Sequence, residues 1–283
     1  MSMSVTANDV IPPLALAPEA GAVARGLGIL KHKLQRAAVG ALLPLAVLAL
    51  WHAAASRGWI ASQILPAPEL VWQTLNELWA SGELWDNLAI SLARVAWGFS
   101  AALLIGVALG VAMGVSSTVE AYLYPSFKVI SEVHVLGWIP LLIMLFGIGE
   151  AMKVIVIVKA AMVPITINTQ QGIRNISQSY LEVARVYRFN PRQLWLKVIF
   201  PASLPSLFNG FRYGLTNAWL SLVTVELLAS SEGIGYQMVL GRQLFQLDVV
   251  MACMAVIGLV GLAIDVVLQA LEAWLLRWRR AAF

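Results

Sequence analysis

The chain has 283 residues, of which 60% are hydrophobic and only 12% are charged. A soluble domain carries roughly 25% charged residues, so this composition excludes an ordinary soluble protein and indicates a chain that lives in a lipid bilayer. The net charge of +4 predicts no nucleic-acid partner, because the basic residues lie in short clusters between apolar runs and not along one face. The single cysteine, Cys253, excludes a disulfide framework or a cysteine-based metal site within one chain.

Six apolar stretches are long enough to cross the hydrocarbon core, which takes about 20 residues. We therefore predict an all-α polytopic membrane protein with six transmembrane helices at residues 37–283, preceded by a tail at residues 1–36. Three stretches lack acidic and basic residues: 37–55, 95–119 and 133–149. The other three contain polar residues: 154–173 with Lys159, about 210–230 with Arg212 and Glu226, and 249–271 with Asp265.

The distribution of basic residues between the stretches predicts the orientation. With the N-terminus inside, thirteen Lys and Arg fall on the inner side and four on the outer side, and cytoplasmic loops accumulate these residues. We therefore predict cytoplasmic N- and C-termini. A secretory signal is the alternative for the first stretch, since residues 53–55 resemble a small-residue cleavage site, although the 36 residues before it are long for such a signal.

Residues 65–95 contain an amphipathic pattern before the second stretch. Leu70, Val71, Leu75 and Leu78 recur at helical spacing between polar residues. The pattern predicts a helix at the outer membrane interface, with tryptophans at headgroup depth. We expect this helix to have a packing role.

Small residues recur every four positions in the second stretch, at Gly98, Ala102, Gly106, Gly110 and Gly114. Such a ridge lets another helix approach closely. The spacing predicts tight packing and leaves open whether the neighbour belongs to the same chain or to a second copy.

Two intramembrane charges are candidate substrate-pathway residues, because a charge in lipid is costly unless it is paired or hydrated. Lys159 lies in the middle of the fourth stretch, where it could present positive potential to a passing anion. The alternative is that it pairs with Glu226 or Asp265, or extends to the interface. Glu226 lies near the outer end of the fifth stretch, just before Ser230; the residues that follow suit either a hinge or a plain loop.

The chain contains no motif of an enzyme or a motor. No G-x-x-x-x-G-K-[ST] sequence occurs, so the chain cradles no nucleotide phosphate itself. We predict no catalytic residue and no metal site, and a membrane-bound enzyme is therefore disfavoured. An ATP-independent secondary carrier or channel remains the rival class.

Residues 174–205 form a basic segment between the fourth and fifth stretches. Ser179 and Glu182 have the spacing of a capping box, which predicts a helix from Tyr180 to about Arg188.

A second short helix is predicted directly after the first. Asn190 would cap it, with Pro191 at its first position, where the missing N–H costs nothing. It would end before Pro201, and Pro201 and Pro205 would turn the chain back to the bilayer. Two short helices at an angle would form a knob for a soluble partner, and an ordinary loop is the alternative.

The spacing of this segment resembles the EAA loop, E-A-A-x3-G-x9-I-x-L-P, of the membrane-spanning subunits of bacterial ABC importers. Glu182 and Ala184 match its start and Pro201 its end. Residues 137–154, 164–174 and 224–236 are similar to the alkanesulfonate, taurine and nitrate permeases. The resemblance covers roughly residues 60–280.

The resemblance implies a type I ABC importer permease in a bacterial inner membrane, in contact with membrane lipid. Its partners would be two ABC ATPase subunits, a periplasmic solute-binding protein and a second permease copy. ATP and Mg²⁺ would be bound by the ATPase partners, with no cofactor in this chain. The cargo would be an aliphatic sulfonate or taurine, or alternatively nitrate or another organic anion. The implied ATPase-coupling residues are Glu182, Val183, Ala184, Arg185, Val186, Tyr187 and Arg188.

The chain departs from the family pattern at several positions. Arg188 stands where the family usually has Gly, and Val183, Val198 and Phe200 replace Ala, Ile and Leu. Because that Gly allows a sharp bend, the bend lies either at Arg188 or two residues later, at Asn190. His134 and Val135 stand where relatives tend to carry prolines. Because those prolines would kink the third stretch, the sequence leaves undecided whether it is kinked there.

Overall fold

The computed structural model describes residues 39–40 and 42–277. The predicted tail, residues 1–36, lies outside the described part, as do residues 278–283. The chain divides into two compact units, Met1–Ile60 and Ala61–Phe283. In the first unit, α1 (Leu42–Ser56) is a short apolar helix that coincides with most of the first predicted stretch.

Every regular element of the described second unit is helical, which confirms the predicted all-α class. Its helices are α2 (Pro68–Ala80), α3 (Glu83–Val115), α4 (Ser117–Glu132), α5 (Val135–Phe146), α6 (Glu150–Arg174), α7 (Gln178–Val186), α8 (Pro191–Leu194), α9 (Phe200–Ala229), α10 (Ile234–Gln243) and α11 (Leu247–Leu275), with a π-helical segment at Trp195–Ile199 between α8 and α9.

The predicted amphipathic helix is α2, and it ends at a left-handed Gly82 with φ 84°. Thr74 of α2 donates a hydrogen bond of 2.7 Å to Asp248, which ties α2 to the start of α11. Helix α3 begins directly after Gly82 and so includes residues we expected at the interface. It ends at Val115 and not at residue 119, because the Ser116 hydroxyl accepts from the Val119 amide and starts α4.

The glycine ridge of α3 packs against α6 of the same chain, which answers the question that the spacing left open. A Cβ added at Gly110 would lie 2.5 Å from Cβ of Thr169, so only glycine permits this approach. The contacts advance together along both helices, which therefore run parallel. They pair Gly98 with Ile157, Gly106 with Ile165, Gly110 with Thr169 and Gly114 with Ile173.

Helix α9 packs on α6 through glycines of its own. Gly210 contacts Asn168 and Gly214 contacts Ile165, so the two helices run antiparallel. The main hydrophobic core lies among α3, α6, α9, α10 and α11. Trp219 of α9 donates its indole N–H to the carbonyl oxygen of Ile257 at 3.2 Å and so links α9 to α11.

The third predicted stretch is helical only over α5, which is 12 residues or about 18 Å long. It bends by 93° from α4. Within the described residues, α3 and α11 are apolar and long enough to cross a membrane, and the bent pair α4–α5 would be a third span if counted together. Helices α6 and α9 have 25 and 30 residues, about 37 and 45 Å, but carry more polar residues.

Candidate functional site

The predicted capping box at Ser179 and Glu182 is wrong. Helix α7 begins at Gln178, with Ser177 in the N-cap position and without a side-chain cap. Ser179 is therefore already the second helical residue, where its hydroxyl cannot act as an N-cap.

Helix α7 ends in a Schellman motif. The Arg188 amide donates to the Arg185 carbonyl oxygen and the Phe189 amide to that of Ala184, both at 3.0 Å. Arg188 occupies the position after the C-cap with φ 48°, a left-handed conformation that favours glycine. The chain therefore bends at the family's Gly position, although Arg occupies it.

The Asn190 cap is confirmed. Its Oδ1 accepts from the Gln193 amide at 2.8 Å, and Gln193 Oε1 accepts from the Asn190 amide at 3.1 Å. The predicted end before Pro201 is wrong, because the chain stays helical from Pro191 to Ala229. Pro201 is the second residue of α9 and directly follows a π-type bond from the Phe200 amide to the Trp195 carbonyl oxygen, so the change of hydrogen-bond register falls at the residue before the proline, which has no N–H to donate. Pro205 lies inside α9 and does not turn the chain back.

The implied ATPase-coupling residues form a largely uncovered surface on α7. Ala184 is 3% exposed and packs inward, whereas Val186 is 80% and Tyr187 72% exposed. The remaining residues of the set are also exposed: Glu182, Val183, Arg185 and Arg188. An apolar groove of 260 Å³ separates α7 from the start of α9, and the Lys197 ammonium lies 5.6 Å from the ring centre of Phe189 beside it.

A charge cluster, buried except for the half-exposed Glu150, joins α3, α6 and α9 at the opposite end of α9 from α7. Arg94 of α3 is 4% exposed and binds both carboxylate oxygens of Glu150, at 2.6 and 2.7 Å. It also donates to Glu226 at 2.8 Å and to the Glu232 carbonyl oxygen at 2.9 Å. Lys153 binds Glu150 at 2.8 Å. Bidentate arginine–carboxylate pairs are strong and geometrically specific, so the cluster fixes the three helices to one another.

The Ser91 hydroxyl lies 2.8 and 2.9 Å from the two carboxylate oxygens of Glu226 and shares its one proton between them, and the Gly235 amide donates to Glu226 at 3.0 Å. A Cβ at Gly233, whose φ is 102°, would collide with Glu226 Oε1. The residues after Ser230 therefore form a loop packed onto Glu226. Both carboxylate oxygens of Glu226 are thus hydrogen-bonded, which supports a structural role for this residue. Lys159 is not among the partners of Glu226.

The partners expected for Lys159 are engaged elsewhere. Glu226 binds Arg94, and Asp265 binds Arg212 at 2.7 Å. Lys159 donates instead to the carbonyl oxygen of Val133, where α4 ends. A separate ion pair joins Arg174 to Glu120 at 2.5 Å at the far end of α6.

Lys159 lines a polar cleft of 220 Å³ between α6, α9 and the α4–α5 bend. Asn217 and Ser221 of α9 face it, as do Ser131 and His134 from the bend. Lys159 thus lies in a cleft, and Glu226 lies in the packed core.

Arg94 is the main site residue that sequence reasoning missed, because it is one of the four basic residues that the orientation count assigns to segments on the outer side. A signal existed. Leu84, Leu88, Ser91 and Val95 continue the glycine ridge backwards at spacings of three and four, which places Arg94 on a helix.

The fold and these sites define a helical membrane protein with a packed, charge-paired bundle and an exposed helix pair at one end. Residues 102–281 match the family described as binding-protein-dependent transport system inner membrane component. The chain therefore belongs to this family of ABC importer permeases, and it is a permease component and not a catalytic subunit.

Several curated relatives cover most of the chain. The aliphatic sulfonates transport permease protein SsuC of Bacillus subtilis is 39% identical over 86% of this chain and 88% of its own length. The SsuC protein of Escherichia coli is 40% identical, with coverages of 84% and 91%. The taurine transport system permease protein TauC of Escherichia coli is 32% identical, with coverages of 82% and 86%.

A crystal structure of an amino acid ABC transporter with histidines has a TM-score of 0.56 to this chain. The match is 16% identical and covers 70% of this chain and 96% of the other. At that identity the likeness shows the fold alone.

Proposed function

We propose that this chain carries a small anion across a bacterial inner membrane, driven by ATP hydrolysis in partner subunits. The observation that carries the proposal is the exposed apolar and basic surface of α7 at Glu182–Arg188, in a chain of the binding-protein-dependent family. An uncovered amphipathic helix is suited to a groove on a soluble partner. Two ATPase subunits, which bind ATP and Mg²⁺, would take the α7 surfaces of two permease copies; this chain itself would hold no cofactor. A periplasmic solute-binding protein would deliver the cargo.

Six membrane crossings with both termini in the cytoplasm are part of the proposal. The lengths of α3, α6, α9 and α11 exceed the roughly 30 Å of a hydrocarbon core, and the excess of basic residues near α7 supports a cytoplasmic position. The bent pair α4–α5 and α1 would supply the remaining crossings.

The cargo we propose is an aliphatic sulfonate or taurine, since the SsuC and TauC relatives carry those names. Nitrate or another small anion is the second candidate. A nitrate import permease of Synechocystis is 33% identical over 74% of this chain, and a bicarbonate permease of Synechococcus elongatus is 35% identical over 69%.

The mechanism we propose is mechanical. Closure of the ATPases on ATP displaces α7, and the helix bundles of the two copies move as rigid bodies between inward-open and outward-open states. Glu182–Arg188 would transmit that displacement.

Glu182→Lys tests the proposal, because it reverses a charge on the docking surface while leaving the apolar helices unchanged. We expect the variant to insert in the membrane but to lose both copurification of an ATP-binding subunit and uptake. Glu77→Lys, the same reversal on exposed α2, is the matched control and should retain both. Normal copurification and uptake in Glu182→Lys would contradict the docking role. Uptake by wild-type chain without ATP or any ATP-binding subunit would favour the secondary-carrier class.

A further inference from the structure

Lys159 differs from the other basic residues of the long helices in its partners. Within the described parts of α3, α4, α6, α9 and α11, every other basic side chain forms an ion pair with a carboxylate; these residues are Arg94, Lys128, Lys153, Arg174 and Arg212. Among the described residues, the hydrogen-bond partner of Lys159 is the carbonyl oxygen of Val133 alone. A charge left without a counter-ion inside an apolar bundle is costly, which is why such a residue indicates a functional site.

Lys159 lies near the middle of α6, half-buried, and retains free donors. It is nine residues from the start of α6 and fifteen from its end, about 14 and 22 Å along the axis. An ammonium has three N–H donors, and the Val133 carbonyl, one of the unpaired groups at the end of α4, takes one of them. Two donors are left for a ligand.

The opposite wall of the cleft supplies neutral polar groups. Asn217 and Ser221 are one turn apart on α9 and line the cleft together, so an amide and a hydroxyl are available beside the ammonium. Glu132 also lines the cleft, but its carboxylate pairs with Lys128 at 2.5 Å. Within the described residues, the ammonium of Lys159 therefore faces the cleft without an ion pair to a carboxylate.

We propose that this cleft binds the anionic head group of the cargo, with Lys159 as the counter-charge and Asn217 and Ser221 as hydrogen-bond donors. The ligand class is a small oxyanion, namely a sulfonate, a carboxylate or nitrate. The cleft volume of 220 Å³ equals about seven water molecules and falls below the roughly 300 Å³ at which pockets for drug-sized ligands begin. The identification of the bound anion as cargo rests on the proposed function.

The test is a binding titration on the full chain, purified with its ATP-binding subunit in lipid nanodiscs. Methanesulfonate is the anionic probe and dimethyl sulfone its uncharged near-isostere, and saturation-transfer NMR reports binding of each. We expect methanesulfonate to bind more tightly than dimethyl sulfone. Lys159→Met should weaken methanesulfonate binding about ten- to hundredfold, the loss of a hydrogen bond to a charged group, whereas Lys159→Arg should retain most of it.

Neighbouring variants establish that the effect belongs to the cleft. Asn217→Ala and Ser221→Ala should each weaken methanesulfonate binding severalfold. Thr224→Ala is the matched control on α9, because the Thr224 hydroxyl is exposed and bonds the carbonyl oxygen of Leu220 in its own helix; it should leave binding unchanged. Acetate and nitrate titrations then rank the three oxyanion types.

Two results would overturn the inference: equal binding of methanesulfonate and dimethyl sulfone, or Lys159→Met binding within twofold of wild type. ATP-driven uptake and copurification in the same preparations separate this failure from failure of the proposed function. Wild-type uptake by Lys159→Met in an intact complex refutes the anion site and leaves the permease assignment in place. Failure of the wild-type chain to copurify with any ATP-binding subunit refutes the proposed function, and anion binding to the chain alone is then measured independently.

Discussion

Replacing Glu226 with Gln tests how much the buried ion pair with Arg94 stabilises the fold. The two residues are 1% and 4% exposed, and their N–O distance is 2.8 Å. Gln has nearly the same shape as Glu, but its NH2 group replaces one accepting oxygen and must face a donor, either the Arg94 guanidinium or the Gly235 amide. The substitution therefore removes the charge and one accepted hydrogen bond.

The expected cost follows from the geometry. At an effective dielectric constant of about 20, Coulomb's law gives an attraction of about 6 kcal/mol at 2.8 Å. Desolvation of the two ions offsets several kcal/mol of this, and removing one partner of a buried pair typically costs about 3–5 kcal/mol. Because Arg94 keeps both oxygens of Glu150, we expect Glu226→Gln to lower the free energy of unfolding by about 3 kcal/mol.

Equilibrium unfolding of the purified chain in mixed micelles would measure this loss of unfolding free energy. A double-mutant cycle with Arg94→Met would isolate the part that belongs to the pair. The matched control is Glu132→Gln, whose pair with Lys128 has side chains 67% and 52% exposed and should contribute less than about 1 kcal/mol. If Glu226→Gln costs no more than Glu132→Gln, or if its effect and that of Arg94→Met simply add, the buried pair does not stabilise the bundle as reasoned.

Two further predictions follow from backbone geometry. Arg188→Gly should relieve the left-handed conformation and stabilise the α7 end by about 1 kcal/mol, seen as severalfold slower hydrogen exchange of the Phe189 amide; equal or faster exchange would contradict this. Gly110→Ala should destabilise the chain by about 2 kcal/mol through its clash with Thr169. The control is Gly258→Ala in α11, where the added Cβ would have no neighbour within 4 Å; this variant should be neutral or stabilising by up to about 1 kcal/mol. Equal melting temperatures for the two alanine variants would refute the close α3–α6 contact.

Features with a regular spacing could be predicted from the sequence. The apolar positions from Leu70 to Leu78 placed α2 correctly, and the ridge from Gly98 to Gly114 indicated close packing before its neighbour was known. Both signals are local, because the period of a helix determines which side chains share a face.

The segment around α7 and α8 was only partly predictable. Asn190 gave the correct cap, but Ser177 and Ser179 are both suitable N-cap residues, and the sequence alone did not show which one precedes the helix. Pro201 was read as a helix terminator. Whether it terminates a helix depends on the hydrogen-bond register before it, and the π-type bond at Phe200 has no marker in residue types.

The charge cluster was not predicted because its partners are distant in sequence. Arg94 lies 56 positions from Glu150 and 132 from Glu226. The charge of each residue was visible, but their meeting depends on the parallel packing of α3 on α6 and on the antiparallel packing of α9.

The unbroken helical path from Pro191 to Ala229 links the two ends of the bundle directly. It spans about 58 Å if every residue rises 1.5 Å. One end begins beside the Arg188 bend and the other reaches the loop held by Glu226, so a displacement applied near Asn190 meets no intervening loop that could absorb it. We expect this helix to transmit such a displacement as a rigid element. Trp195–Ile199 is the only described stretch in which its winding departs from the α-helix.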